Sequence, residues 1–311
     1  MKTLLITTSS FGKHDSAPLK KLKKFGFSVN LNPYKRKLTE EEVASLIKKY
    51  NPVGMIAGVE PLTKSVLQNA KNLKTISRCG IGMDSIDMEA AGLLGITVTN
   101  TPDAPTIPVA ELTLGLILSL LRKIHLSDAS IRKKEWYRPM GNLLYGKTVG
   151  IMGCGRIGSY LGKLIEPFDC NILGYDPACP TGKQYQLVDL NYLLSHSDIV
   201  SLHFPYNREN HHFMDTKKIQ NMKKGAFLIN AARGALIDED ALYNALISEH
   251  LSGAALDCYE EEPYYGKLSE LNNILLTGHI GSYAVEGRIM MEKQSVENLL
   301  NEFVKVDNLN R

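Results

Sequence analysis

Short apolar runs alternate with amphipathic stretches along the chain. Residues 2–7 read as a strand, and the Leu- and Lys-rich residues 17–25 as a helix that ends at Gly26. Residues 28–31 read as a second strand. Residues 39–50 open on Thr39, a helix-capping residue, followed by Glu40, Glu41 and Glu42, and then show helical spacing. Strands are predicted at 53–57, 75–78 and 96–100, with a helix at 63–69. The strand at 75–78 ends in the glycine-rich turn Cys79-Gly80-Ile81-Gly82.

A second series follows the same rhythm more strongly. Strands are predicted at 147–152, 171–175, 199–203, 226–230, 253–257 and 274–277. Helices are predicted between them at 156–166, 187–195, 215–221 and 238–248, with a long one at 284–304. Alternation of this kind predicts parallel sheets with crossover helices, an α/β fold. No internal repeat or low-complexity tract stands out, and no Gly/Ser linker separates the two series.

Length makes this two domains: 311 residues exceed one small domain. A hydrophobic fraction of 44% and a charged fraction of 22% are ordinary for a globular protein. The net charge of +3 forms no dense basic face, so nucleic acid is not an expected partner, and Lys35-Arg36-Lys37 reads as solvated surface. The five cysteines, at 79, 154, 170, 179 and 258, include no CxxC pair, so no metal site is expected. An odd thiol count and an N-terminus that reads as a strand rather than a signal favour a cytoplasmic location. The longest apolar stretch, 107–121, contains Pro108, Glu111, Thr113 and Ser119. It falls short of the roughly 20 residues that span a bilayer, so a buried or interface helix is expected and no membrane association.

The sharpest chemical signal lies at Gly153-Cys154-Gly155-Arg156-Ile157-Gly158, which joins a predicted strand to a predicted helix. Glycines let the backbone turn tightly against a pyrophosphate, and the helix N-terminus offers amides and partial positive charge. The next strand ends on Asp176, where an acid is needed for a ribose diol. A carboxylate there repels the 2′-phosphate of NADP, so NAD is the expected cofactor. At Arg156 the backbone amide is expected to matter more than the side chain.

Three further groups follow later strands: Arg233 after the strand ending at Asn230, Glu262 after Asp257-Cys258-Tyr259, and His279 after Leu275-Leu276-Thr277-Gly278. Ligands of open α/β sheets bind outside the carboxyl ends of strands, so these groups belong at one edge. Oxidising an alcohol carbon by hydride transfer needs a group of near-neutral pKa to take the hydroxyl proton, and His279 fits. A carboxylate orients the imidazole and stabilises its protonated form, which suits Glu262. A guanidinium grips a planar carboxylate through paired hydrogen bonds, which suits Arg233.

The segments Asn230-Ala231-Ala232-Arg233-Gly234, Leu256-Asp257-Cys258-Tyr259-Glu260-Glu261-Glu262-Pro263 and His279-Ile280-Gly281-Ser282 resemble signatures of the D-isomer-specific 2-hydroxyacid dehydrogenases, closest to the phosphoglycerate dehydrogenase-like branch. Arg78 to Asp87, Val109-Ala110-Glu111-Leu112 and Leu202-His203-Phe204-Pro205 extend the resemblance over nearly the whole chain. It implies that Arg233 binds the substrate carboxylate and carbonyl, that His279 is the acid/base and that Glu262 is its partner. It implies that Val109, His203, Pro205, Ala231 and Asp257 join the glycine turn at the NAD site. Arg78, Gly58, Val59 and Gly82 are the implied substrate contacts beside Arg233. The implied fold is two Rossmann-like or flavodoxin-like domains, with an NAD-binding domain (99–282) inserted into a discontinuous substrate domain (1–98 and 283–311). A homodimer is implied, with the helix at 107–121 joining the domains and lying at the dimer interface.

One loop departs from the pattern. Phosphoglycerate dehydrogenases place a basic residue and a serine after the strand ending near Ile56, where this chain has Ala57-Gly58-Val59-Glu60-Pro61. A substrate phosphate would lose a cationic partner there and face Glu60. Asn207 and Asn210 replace threonines, a change that keeps hydrogen bonding. The chain also ends soon after its last helix, so serine feedback through a C-terminal regulatory domain is not expected. The expectation is an NAD-dependent enzyme interconverting a D-2-hydroxyacid and its 2-oxoacid. The alternative is an NAD(H)-sensing interaction protein, related to corepressors on the same fold.

Overall fold

The computed structural model describes residues 2–178 and 186–309 and divides into two compact units. Unit 1 comprises Met1–Pro105 and Ser282–Arg311, and unit 2 comprises Thr106–Gly281.

Unit 1 begins with β1 (Thr3–Ile6), α1 (Ala17–Lys24), β2 (Ser28–Leu31), α2 (Glu40–Tyr50), β3 (Gly54–Ala57), α3 (Lys64–Gln68), β4 (Thr75–Arg78), α4 (Met88–Leu93) and β5 (Thr97–Asn100). Its strands form one parallel sheet in the order β2-β1-β3-β4-β5. Successive residues of β1 point to opposite faces and both faces are covered, which is why Leu4, Leu5 and Ile6 are all apolar. Leu4 and Ile6 join one core cluster, and Leu5 joins another with Val43, Ile47 and Met55. Thr39 caps α2 as its sequence predicted: its hydroxyl accepts from the Glu42 amide while the Glu42 side chain accepts from the Thr39 amide.

Unit 2 contains α5 (Thr106–Leu121), α6 (Ile124–Arg132), β6 (Thr148–Met152), α7 (Arg156–Ile165), β7 (Asn171–Tyr175), β8 (Gln186–Leu187), α8 (Leu190–His196), β9 (Ile199–Leu202), α9 (Thr216–Gln220), β10 (Ala226–Asn230), α10 (Glu239–Ile247), β11 (Leu251–Leu256) and β12 (Ile274–Leu276). Its parallel sheet runs β12-β11-β10-β9-β6-β7-β8. The chain then re-enters unit 1 as α11 (Val285–Leu309), whose Leu299 and Phe303 pack into the cluster holding Leu4 and Ile6. The two parallel sheets bear out the α/β expectation.

Three local expectations needed revision. The helix predicted from residue 187 starts at Leu190, because Asp189 caps it with its side chain on the Tyr192 amide; Gln186 and Leu187 pair with β7 instead. Neither α4 nor α6 was predicted. In α4 a Gly lies within six residues, and the helix is held by the Asp87 side chain on the Ala90 amide. Helix α6 buries only Ser130, so it shows no apolar stripe to read.

Helix α5 buries one side and leaves Ile107, Glu111 and Gly115 exposed. Ala110, Leu116, Ile117, Leu120 and Leu121 join a cluster with Val149, Ile151 and Ile165 inside unit 2. No helix among the described residues is long and apolar enough to cross a membrane. Cys79, Cys154, Cys170 and Cys258 form no disulfide with one another, and Cys179 lies outside the described residues.

Candidate active site

Strands β6 and β9 are neighbours at the centre of the unit 2 sheet, and the chain winds away from them in opposite directions. Such a switch point opens a crevice at the carboxyl ends of its strands. The glycine turn sits there. Gly153 has φ +93°, and a Cβ on it would stand 2.6 Å from the backbone carbon of His203, the residue following β9. A side chain is thus excluded both by conformation and by the neighbouring strand. Gly155 caps α7 without any side-chain bond, and space around its Cα is open. The first turn of α7 therefore presents its amide end beside an uncrowded backbone, as an anionic pyrophosphate requires. Asp176, one residue beyond β7, accepts from the Cys154 amide at 2.8 Å and from the Ala178 amide at 2.9 Å. Its carboxylate thus braces the turn and stands beside it. These residues fit a dinucleotide.

The other predicted NAD contacts lie around the same sheet edge. The His203 ring bonds Ser201 Oγ through Nε2 at 2.8 Å, and burial lowers its pKa to about 4, so it is neutral at pH 7. Pro205 is exposed, Ala231 is buried at the end of β10, and Val109 near the start of α5 abuts Gly281. Asp257 is 1% exposed, and its carboxylate is engaged within the chain. One oxygen accepts from the Thr277 hydroxyl at 2.6 Å and the Ile280 amide at 2.8 Å, and the other accepts from the Gly281 amide at 2.8 Å. It clamps the loop that carries His279 from both sides.

Within that loop His279 adopts φ +55°, a conformation disfavoured for a residue with a side chain. Its Nδ1 lies 2.9 Å from both oxygens of Glu262. A carboxylate only accepts, so Nδ1 carries the proton and Nε2 keeps its lone pair. Glu262 is positioned in turn by the Tyr259 amide, which donates to Oε1 at 3.2 Å. Arg233 follows β10 and is half-buried; its guanidinium donates to the Ala232 carbonyl at 2.7 Å, while Asn230 Nδ2 donates to the Arg233 carbonyl at 2.8 Å. The sequence reading missed Tyr259, whose hydroxyl donates to the Thr277 carbonyl at 2.8 Å and whose ring stacks on Tyr264. It therefore ties the Glu262 segment to the His279 segment. The signal for it is adjacency to the Asp257 and Glu262 motif, and nothing in the spacing reveals the bond.

The proposed substrate contacts belong to unit 1. Gly58 and the exposed Val59 follow β3, Arg78 ends β4, and Gly82 lies in the next loop. Arg78 is buried and donates to the Cys79 carbonyl. Glu60 was expected to face a bound phosphate. It is instead 2% exposed and turned inward, hydrogen-bonded to the Thr7 hydroxyl and accepting from the Gly58 amide at 3.1 Å. Burial raises its pKa, opposed by the Thr7 bond and the charge of Arg78. Gly58 leaves the room this needs: a Cβ there would stand 2.8 Å from the Glu60 carboxylate folded back under the loop.

A profile described as "D-isomer specific 2-hydroxyacid dehydrogenase, NAD binding domain" matches residues 114–281. The chain is 42% identical over 259 residues to a D-3-phosphoglycerate dehydrogenase of Methanocaldococcus jannaschii, covering 81% of this chain. It spans about half of that relative's length, 49%. It is 36% identical over 272 residues to a hydroxypyruvate reductase of Thermotoga maritima, covering 85% of this chain and 89% of the relative. Among solved structures, the TT0316 protein of Thermus thermophilus superposes with a TM-score of 0.88 at 35% identity, covering 97% of both chains.

Proposed function

The chain belongs to the D-isomer-specific 2-hydroxyacid dehydrogenases, and from that premise we propose that it interconverts a D-2-hydroxyacid and its 2-oxoacid with NAD. The observation that carries this reading is the His279–Glu262 pair, two bonds of 2.9 Å onto one imidazole nitrogen. NAD, when bound, supplies the acceptor for the hydride that leaves C2 of the hydroxyacid. His279 Nε2 takes the C2 hydroxyl proton as the carbonyl forms, and returns it in the reverse direction. Glu262 fixes the tautomer and stabilises the imidazolium. Arg233 holds the substrate carboxylate by paired hydrogen bonds and polarises the adjacent carbonyl.

In this reading the Asp176 carboxylate, braced beside the glycine turn by the Cys154 and Ala178 amides, accepts a ribose hydroxyl and repels a 2′-phosphate. Asp176→Ala is expected to weaken NAD and narrow the gap between NAD and NADP, measured as the ratio of their dissociation constants; an unchanged ratio would count against the role.

We further propose that the substrate lacks a phosphate. Residues 57–61 offer no cation, and Glu60 is turned inward onto the Thr7 hydroxyl and the Gly58 amide, so the loop presents no group that pairs with a phosphate. Hydroxypyruvate, named for the Thermotoga relative, is the type of small 2-oxoacid this suits. The experiment is a panel of 2-oxoacids assayed for NADH oxidation. Turnover is expected with small unphosphorylated members and to be weaker with phosphohydroxypyruvate; silence across the panel with NADH still bound would overturn the enzymatic reading in favour of NAD(H) sensing.

We also propose a homodimer. Besides α5, whose Ile107 is 44% exposed, Trp136 (81% exposed), Met140 (86%), Leu143 and Tyr145 stand out on the segment after α6. Exposed apolar residues this concentrated mark an interaction surface. Sedimentation should return twice the chain mass, and a single-chain mass would overturn the proposal.

A further inference from the structure

Unit 2 carries a second cluster of metal-ligating side chains that the proposed reaction does not use. His211 and His212 lie on the segment between β9 and α9, and Glu260 lies two residues before Glu262. One ligand atom from each of the three falls within 4.8 Å of the others. His212 Nε2 is 3.0 Å from one Glu260 oxygen, and His211 Nε2 is 3.7 Å from the other. The two imidazoles stack with centroids 3.8 Å apart.

The backbone holds this arrangement. His212 adopts φ +49°, and its amide donates to the Ala235 carbonyl at 2.8 Å. The Glu260 amide donates to a Glu239 carboxylate oxygen at 3.1 Å. The segment before the histidines is closed by Asn207 and Asn210, each side chain accepting from the other's amide. Tyr206 Oη sits 3.5 Å from His211 Nδ1; in the tautomer protonated at Nδ1 it accepts that proton and Nε2 is left as the ligand.

We propose that His211, His212 and Glu260 form a binding site for one divalent transition-metal ion of the zinc class. Two imidazoles and a single carboxylate suit zinc, copper or nickel, whereas calcium and magnesium need a richer oxygen set. Ligand atoms about 2.0–2.2 Å from a tetrahedral zinc ion stand about 3.4 Å apart, and the 3.0 and 3.7 Å separations bracket that distance. Three protein ligands leave the fourth position to water, since all three side chains are partly exposed. The ion ties the segment after β9 to the segment that positions Glu262, and so stiffens the support of the proposed acid/base pair without touching it.

The test is calorimetric titration of the full chain with Zn²⁺, paired with visible absorption of Co²⁺. One ion per chain is expected, with cobalt bands of tetrahedral strength and a rise in melting temperature on zinc addition. His211→Ala, and His212→Asn, which tolerates the left-handed backbone, should each weaken zinc by about tenfold or more, as should Glu260→Gln. His279→Asn should leave zinc binding intact. Affinity unchanged in all three cluster variants would overturn the proposal, as would loss of binding on changing His279 alone or no binding by the unaltered chain. Retained NADH binding in each variant confirms its fold, so the result does not depend on which substrate the enzyme takes.

Discussion

His279→Asn is expected to lower turnover by roughly 10²–10⁴-fold, the usual contribution of a positioned acid/base. Asparagine is the informative replacement. It tolerates the left-handed φ of +55° at this position, so the loop keeps its course. It also lacks an imidazole nitrogen to accept the proton, so the proposed proton transfer is lost while the clamp from Asp257 onto Ile280 and Gly281 remains. NADH affinity, followed by nicotinamide fluorescence, should stay close to that of the unaltered chain, because the glycine turn and Asp176 are untouched. Turnover above about a tenth of the original would remove His279 from the proposed role.

Gly234→Ala is expected to damage the same chemistry from a position that contributes no side chain to it. A Cβ at Gly234 would stand 1.9 Å from the Tyr259 carbonyl carbon and 2.2 Å from its oxygen. Both obstacles are backbone, so no side-chain rotation relieves the clash. Either Arg233 moves with its turn, or Tyr259 moves and takes with it the amide that positions Glu262. Misplacing catalytic groups by about 1 Å costs on the order of 10²-fold in rate, and overpacking removes about 1–3 kcal/mol of stability. The expected result is a fall in kcat of about 10²-fold or more with a lowered Tm. Gly278→Ala provides the contrast. Gly278 adjoins His279, yet nothing lies within 4 Å of its added Cβ, so most activity should survive. Equal activity in the two variants would show that the contact with Tyr259 is unimportant.

The residues that were legible in the sequence are those whose reason is local. Short continuous apolar runs located most of the strands, because both faces of a parallel sheet are covered, and helical spacing behind capping residues located the capped helices. Arg233, Glu262 and His279 were legible because each closes a predicted strand. Helix α6 was not, since it buries almost nothing, and β8 was not, since two residues carry no period. The clamp from Asp257 to Gly281 and the approach of Gly234 to Tyr259 join residues 24 and 25 positions apart, through backbone atoms that every residue possesses. Glu60 was read as a charge facing outward; only the space left by Gly58 lets it turn toward Thr7.

The same loop, 57–61, rests on the core cluster that holds Met55 and Leu62, whereas Arg233, Glu262 and His279 ride on strand ends of a different sheet with its own core. In the proposed reading, in which this loop chooses the substrate, it can be exchanged without disturbing the packing that aims Arg233, Glu262 and His279. Grafting a basic version of the loop onto this chain then changes the choice of substrate apart from the proposed proton transfer.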